Sequence, residues 1–184
     1  MIKATDVLRE QHRALGALFE RLRHVSDAQA RTDLADQITR ELQAHMAVEE
    51  QLFYPAMREV PDEIIPAMVS EAYEEHEVLK LILGRLSEMA PDRERFEAEV
   101  KVLREAVEHH VREEESVMFR AAEKLGAARL EELGEQIAAR AMPVQPTELD
   151  LENDDKYDEI LDGPDQGIVA HHPASDRPLR KTQP

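Results

Sequence analysis

Apolar residues recur every three or four positions through most of this chain, and the interruptions of that rhythm divide it into helices. Leu8, Leu15, Leu18, Phe19 and Leu22 make one stripe between Thr5-Asp6, which suits a helix start, and the polar break at Ser26-Asp27. A second stripe, Leu34, Ile38, Leu42, Leu52 and Ala56, stops near Pro61, and a third, Ile65, Val69, Ala72, Leu79, Leu83 and Leu86, runs from about Asp62 to Ala90-Pro91-Asp92. The fourth contains Phe96, Val100, Leu103, Val107, Val117 and Ala121 and ends at Leu125-Gly126. Short breaks between four such helices force neighbours antiparallel. The pattern therefore predicts an all-α, up-down-up-down four-helix bundle. A shorter fifth helix with Leu130, Leu133 and Ile137 as its apolar side completes a unit over residues 1–142. Residues 143–184 lack periodicity and are rich in Asp and Pro, so they are expected to form a disordered acidic tail, a surface for a protein partner.

Composition agrees with this division and narrows the function. The chain has 184 residues, 42% hydrophobic and 34% charged, with 6 Gly and no Trp, which favours charged amphipathic helices over a sheet. Its net charge of −17 opposes binding to nucleic acid or to an anionic membrane and suits a cation. No run of 18 apolar residues occurs and no apolar segment follows the N-terminal Met1-Ile2-Lys3, so the expected location is cytoplasmic. Without cysteine, any metal must be held by His, carboxylate or Tyr.

Six positions carry an ionisable residue where the apolar seam calls for an apolar one. They are His12 in the first helix, His45 and Glu49 in the second, His76 in the third, and His110 and Glu114 in the fourth. A buried carboxylate costs several kcal/mol in effective desolvation unless compensated, and two facing one interior repel each other. A cation removes both penalties. Residues at i and i+4 lie about 40° apart around a helix, so each His and its Glu can reach one inward site. A lone His on an apolar face is more often a hydrogen-bonded core residue, and a lone Glu more often the edge of a solvated face. Here each helix supplies a His and both Glu stand at the same offset, which favours metal binding.

The pattern is also doubled. A shift of 64 carries Leu8, His12, Leu15, Phe19 and Leu22 onto Ala72, His76, Leu79, Leu83 and Leu86. A shift of 65 carries Ile38, Leu42, His45, Glu49, Leu52 and Ala56 onto Leu103, Val107, His110, Glu114, Val117 and Ala121. A pseudo-twofold bundle would give each half two histidines and one carboxylate, a set better suited to two metals than to one.

Residues 5–125 resemble the hemerythrin-like HHE cation-binding family in the stretches His45-Met-Ala-Val-Glu49-Glu-Gln-Leu-Phe-Tyr-Pro55, Glu75-His76-Glu77 and His109-His110-Val-Arg-Glu-Glu-Glu-Ser-Val-Met-Phe119. The resemblance implies His12, His45, Glu49, His76, His110 and Glu114 as ligands of two non-haem irons, bridged by both glutamates. Two departures qualify it. The oxygen carriers of the family have a further ligand His one turn after the third-helix histidine, where this chain has Lys80, which argues against simple reversible oxygen carriage. They also place the last carboxylate five residues after its His, which corresponds to Glu115, whereas the repeat favours Glu114. Ferritin-like bundles use Glu-x-x-His, and Leu42, Tyr73 and Val107 stand three residues before the relevant histidines. Tyr54 reads as a bundle aromatic, with a ligand or redox role as the alternative, and His24, His109, His171 and His172 fall off the seams.

The expected function is therefore a di-iron protein that binds or senses oxygen, peroxide or nitric oxide, or handles iron under oxidative stress, extending to a catalase- or peroxidase-like activity. The same ligands accept zinc or manganese. The competing expectation is a regulatory or interaction bundle with a structural metal and a partner-binding tail.

Overall fold

The structure is a computed structural model that describes residues 2–90 and 94–140. The expected tail, His171, His172 and the Pro91-Asp92 signal lie outside the described residues. Among those described, the chain is all-helical. Helix α1 spans Ala4–His24, starting just ahead of the expected Thr5 because the Asp6 carboxylate accepts a hydrogen bond from the Lys3 N–H at 3.4 Å. Helix α2 begins at Ala28, capped by Asp27, whose carboxylate accepts from the Ala30 N–H at 2.9 Å. Helix α3 spans Ile65–Leu86, starting three residues later than expected. Helix α4 begins at Glu94 and closes in a 3₁₀ turn at Glu123–Leu125. The chain then reverses at Gly126, whose φ of +85° is costly for a residue with a Cβ. Helix α5 spans Ala127–Arg140 and buries Leu130, Leu133 and Ile137 as expected.

Helices α2 and α4 are not uniform. Each changes from α to π hydrogen bonding for five residues, Glu49–Phe53 in α2 and Glu114–Met118 in α4, then resumes as Tyr54–Met57 and Phe119–Ala122. A π turn inserts one extra residue into the helical rhythm, so every side chain beyond it moves one position around the axis. This corrects the seam assigned to Leu52 and Val117, which are half-buried. The adjacent Phe53 and Tyr54, and Met118 and Phe119, take the interior instead.

The core consists of two apolar clusters. One is built around Leu8, Phe53, Met57, Val69, Met118 and the inner face of α5, and the other around Leu15, Leu42, Met46, Leu79, Leu103 and Val107. The buried ionisable residues lie where one group gives way to the other along each of α1–α4, interleaved on α2 with Met46 and Val48 and on α4 with Val111. At the first end, α5 lies on the start of α1. Gly134 there approaches the backbone of residues 2–4 so closely that a Cβ would come within 2.8 Å of the Lys3 carbonyl carbon and 2.9 Å of the Ala4 nitrogen.

Candidate metal centre

All six seam residues meet in one layer of the bundle, and none is more than 3% exposed. They form two groups capable of holding a cation, one of His12, His45, Glu49 and Glu114, the other of Glu49, His76 and His110. In the first group His12 Nε2 lies 3.1 Å from His45 Nε2, and Glu49 Oε1 lies 3.2 Å from His45 Nε2. In the second, His76 Nε2 lies 3.2 Å from His110 Nε2, and Glu49 Oε2 lies 3.3 Å from His76 Nε2. Glu49 thus turns one oxygen toward each group. Glu114 Oε2 sits between them, 3.4 Å from His12 Nε2 and 3.6 Å from His110 Nε2.

Tyr54 enters the same layer. Its hydroxyl donates to Glu114 Oε1 at 2.9 Å and lies 3.0 Å from His76 Nε2 and 3.5 Å from His110 Nε2, so a fourth donor, of a third kind, faces the second group. The sequence reads Tyr54 as a bundle aromatic with a ligand or redox role as the alternative; the π turn is what brings its hydroxyl into the layer. A signal was present, since the same one-residue offset puts Phe119 at the corresponding place in the second half. Phe119 stacks on the His12 ring with centroids 5.8 Å apart.

Every imidazole also has a partner on its outer nitrogen. His12 Nδ1 lies 2.7 Å from Glu115, His76 Nδ1 2.9 Å from Glu50, His110 Nδ1 2.8 Å from Glu75, and His45 Nδ1 2.8 Å from the side-chain oxygen of Gln11. Such contacts fix each ring through its Nδ1 proton and turn Nε2 inward, where its lone pair becomes available once a metal replaces any proton there. Glu115, the alternative fourth-helix carboxylate, is therefore placed behind His12, while Glu114 faces the interior. Lys80 points outward, with Nζ 2.9 Å from Glu50 and 2.8 Å from Glu77. His24 is exposed beside Glu20, and exposed His109 forms a surface trio with Glu75 and Glu113 at 3.5 and 3.6 Å.

The electrostatics of the metal-free layer are those of charges confined together. Burial opposes ionisation of Glu49, but His45 and the other imidazoles outweigh it and hold its carboxyl well below the usual range. Burial and the neighbouring Glu49 charge push Glu114 up. Burial also depresses His45, to about 3 despite Glu49, whereas at His110 the surrounding carboxylates, Glu114 first, overcome burial and raise it to about 10. Burial, then the charges of Glu49 and Glu114, push Tyr54 upward, so without a cation it remains a phenol.

A metal fits this donor set. Glu49 Oε1 and Glu114 Oε2 are fully buried yet are in no hydrogen bond within the protein, a costly state for carboxylate oxygens. Two pairs of imidazole Nε2 atoms converge beside them. Nitrogen and oxygen donors of this type suit first-row transition metals.

Comparison with known proteins gives the family and the fold. The hemerythrin HHE cation binding domain family is matched by residues 3–122. A DNA nickase of Nostoc sp. (strain PCC 7120 / SAG 25.82 / UTEX 2576) is 33% identical over 116 residues, 63% of this chain and 32% of that protein. An uncharacterized hemerythrin-like protein of Schizosaccharomyces pombe is 25% identical over 115 residues, 62% of this chain and 57% of the other. The chain thus spans about a third and somewhat over half of the lengths of these two relatives. The crystal structure of a hemerythrin HHE cation binding domain-containing protein from Mycobacterium kansasii, described as an Rv2633c homolog, superposes with a TM-score of 0.68 at 29% identity, covering 77% of this chain and 86% of that one.

Proposed function

This chain belongs to the hemerythrin HHE cation-binding domain family, and from that premise we propose that it is a non-haem di-iron protein that reacts with oxygen or peroxide. His12 and His45 would hold one iron, His76 and His110 the other, with Glu49 and Glu114 shared. The observation that carries this reading is the division of Glu49, one oxygen toward each histidine pair. A single ion would leave half of that set without a role.

Tyr54 is assigned as a further donor to the iron on the His76 side, because its oxygen lies closer to His76 Nε2 than Glu49 does. Beside the four neutral imidazoles, two carboxylates and a phenol supply hard oxygen donors that can be anionic, and these favour the ferric state over the ferrous one. That preference suits consumption of an oxidant better than reversible oxygen carriage. Bound iron would supply Lewis-acid and one-electron redox chemistry. The chain's own contribution is to fix the imidazole tautomers through Glu115, Gln11, Glu50 and Glu75, and to surround the layer with apolar side chains that restrict water. Lys80 takes no ligand role in this account, since it is engaged at the surface with Glu50 and Glu77.

Nicking activity is not carried over from the Nostoc relative. The shared segment is 32% of that protein, and a net charge of −17 opposes contact with a polyanion. Among the described residues no helix is long and apolar enough to cross a membrane.

The test is metal analysis and visible spectroscopy of protein produced with iron, before and after hydrogen peroxide. About two irons per chain, a ferric absorption that changes with peroxide, and peroxide loss dependent on the iron support the proposal. A folded chain without stoichiometric metal, or a metal that peroxide leaves unchanged, refutes it.

A further inference from the structure

The repeat that doubles the ligands also doubles many of their surroundings, and two of the places where it fails lie on the same side. Glu115 behind His12 and Glu50 behind His76 are repeat mates, each beside a cation: Arg9 Nε lies 3.5 Å from Glu115 and Lys80 Nζ 2.9 Å from Glu50. The cations are not repeat mates, and Lys80 shares Glu50 Oε1 with His76 while Arg9 meets the other oxygen of Glu115, yet both imidazoles keep a carboxylate partner. The remaining imidazoles differ. His110 donates its Nδ1 proton to the carboxylate of Glu75, whereas its mate His45 donates to the neutral amide oxygen of Gln11, at the same 2.8 Å. The second asymmetry is Tyr54 against Phe119. The phenol oxygen faces the His76 and His110 pair, while Phe119 offers His12 a ring face with no donor atom.

Both differences act in one direction. A carboxylate on the outer nitrogen makes an imidazole a more basic ligand than an amide does, because the hydrogen bond is charge-assisted and polarises the ring. A phenol adds a ligand that can become anionic on binding. Resting on the two-metal reading above, we propose that the positions fill in order: the His76, His110 and Tyr54 position binds metal first and tightly, and the His12 and His45 position binds second, weakly and exchangeably. Gln11 is then a positioning residue that sets the weaker affinity. Its acceptor strength, not its shape, is the relevant property, since Glu could make the same contact.

The experiment is calorimetric titration of metal-stripped full-length chain with cobalt(II), in wild type, Gln11→Glu and Glu75→Gln. Both side chains are half-buried at the rim of the layer, and circular dichroism with a thermal melt verifies that each variant folds. Removal of such outer partners typically changes metal affinity by about 10–100-fold. Wild type should take up two cobalt ions in steps separated by at least about tenfold. Gln11→Glu should tighten the weaker step by about tenfold and leave the stronger one, and Glu75→Gln should weaken the stronger step. A location readout comes from adding ferrous iron under argon and then admitting air. The visible phenolate-to-ferric absorption, absent in Tyr54→Phe, should develop with the first equivalent.

Two indistinguishable steps, a Gln11→Glu effect on the tighter step, or an absorption that waits for the second equivalent would each overturn the ordering while leaving two metals per chain in place. Fewer than two cobalt ions in wild type would overturn the two-metal reading itself and the ordering with it.

Discussion

Replacing Tyr54 with Phe removes one buried oxygen and keeps the ring, so its consequences can be separated by the presence of metal. In the metal-free chain the hydroxyl donates to Glu114 Oε1 at 2.9 Å, and the ring packs edge-on against Tyr73 with centroids 5.2 Å apart. The ring contact survives the substitution. What is lost is a buried hydrogen bond to a carboxylate, with a cost of about 1–3 kcal/mol. For a chain of this size, each kcal/mol lowers Tm by about 2–4 °C, so the metal-free variant should melt roughly 2–12 °C lower. In the iron-loaded chain the loss is larger, because a ligand goes with the hydrogen bond. Parallel melts with and without iron, together with visible spectra of the ferric forms, measure both effects. The reasoning predicts that iron stabilises Tyr54→Phe less than it stabilises wild type, and that the variant loses the phenolate-to-ferric absorption. A variant with the wild-type visible spectrum and the full stabilisation by iron would refute the donor role and leave Tyr54 as a hydrogen-bonding residue only.

Glu114→Gln should lower bound iron below two per chain. Glu115→Gln should retain two with affinity for one of them weakened about 10–100-fold, as a partner behind His12 would; metal analysis after dialysis against a graded chelator series distinguishes them. Glu49→Gln should lose more metal than Glu115→Gln in the same series, because both groups share Glu49. In the metal-free chain, His110 at about 10 against an unfolded value near 6.5 contributes stability that is complete below pH 6.5 and declines as pH rises to 10. Stabilisation by metal should run the other way, growing with pH as protons stop competing for the imidazoles, and melts of both forms across this range check the opposed slopes. Gly134→Ala should destabilise the fold by about 1–3 kcal/mol despite better helix propensity, because its Cβ would meet backbone of residues 2–4; denaturant unfolding measures the loss.

The bundle and most of its interior layer are legible in the sequence because both rest on spacing. A His between Leu8 and Leu15, or between Ala72 and Leu79, interrupts an otherwise apolar stripe, and the 64- and 65-residue repeats place the interruptions at one level. What spacing cannot reveal is a change in helical pitch. The π turns at Glu49–Phe53 and Glu114–Met118 follow immediately after the ordinary i to i+4 spacing of His45 to Glu49 and His110 to Glu114. A seam extrapolated with the α period therefore selects Leu52 and Val117 and misses Phe53, Tyr54, Met118 and Phe119. The outer partners are obscure for another reason. Gln11, Glu50, Glu75 and Glu115 are polar residues beside the seam, where solvated polar residues are expected, and only the packing of one helix against another shows which of them reach an imidazole.

The most direct test of the account is anomalous diffraction at the iron edge from crystals of the iron-loaded chain. The account predicts two peaks in the buried layer, about 3.5–4 Å apart as in other two-metal sites, one beside His12 and His45 and the other beside His76, His110 and Tyr54. A single buried peak, or iron confined to the surface trio of Glu75, His109 and Glu113, would contradict it.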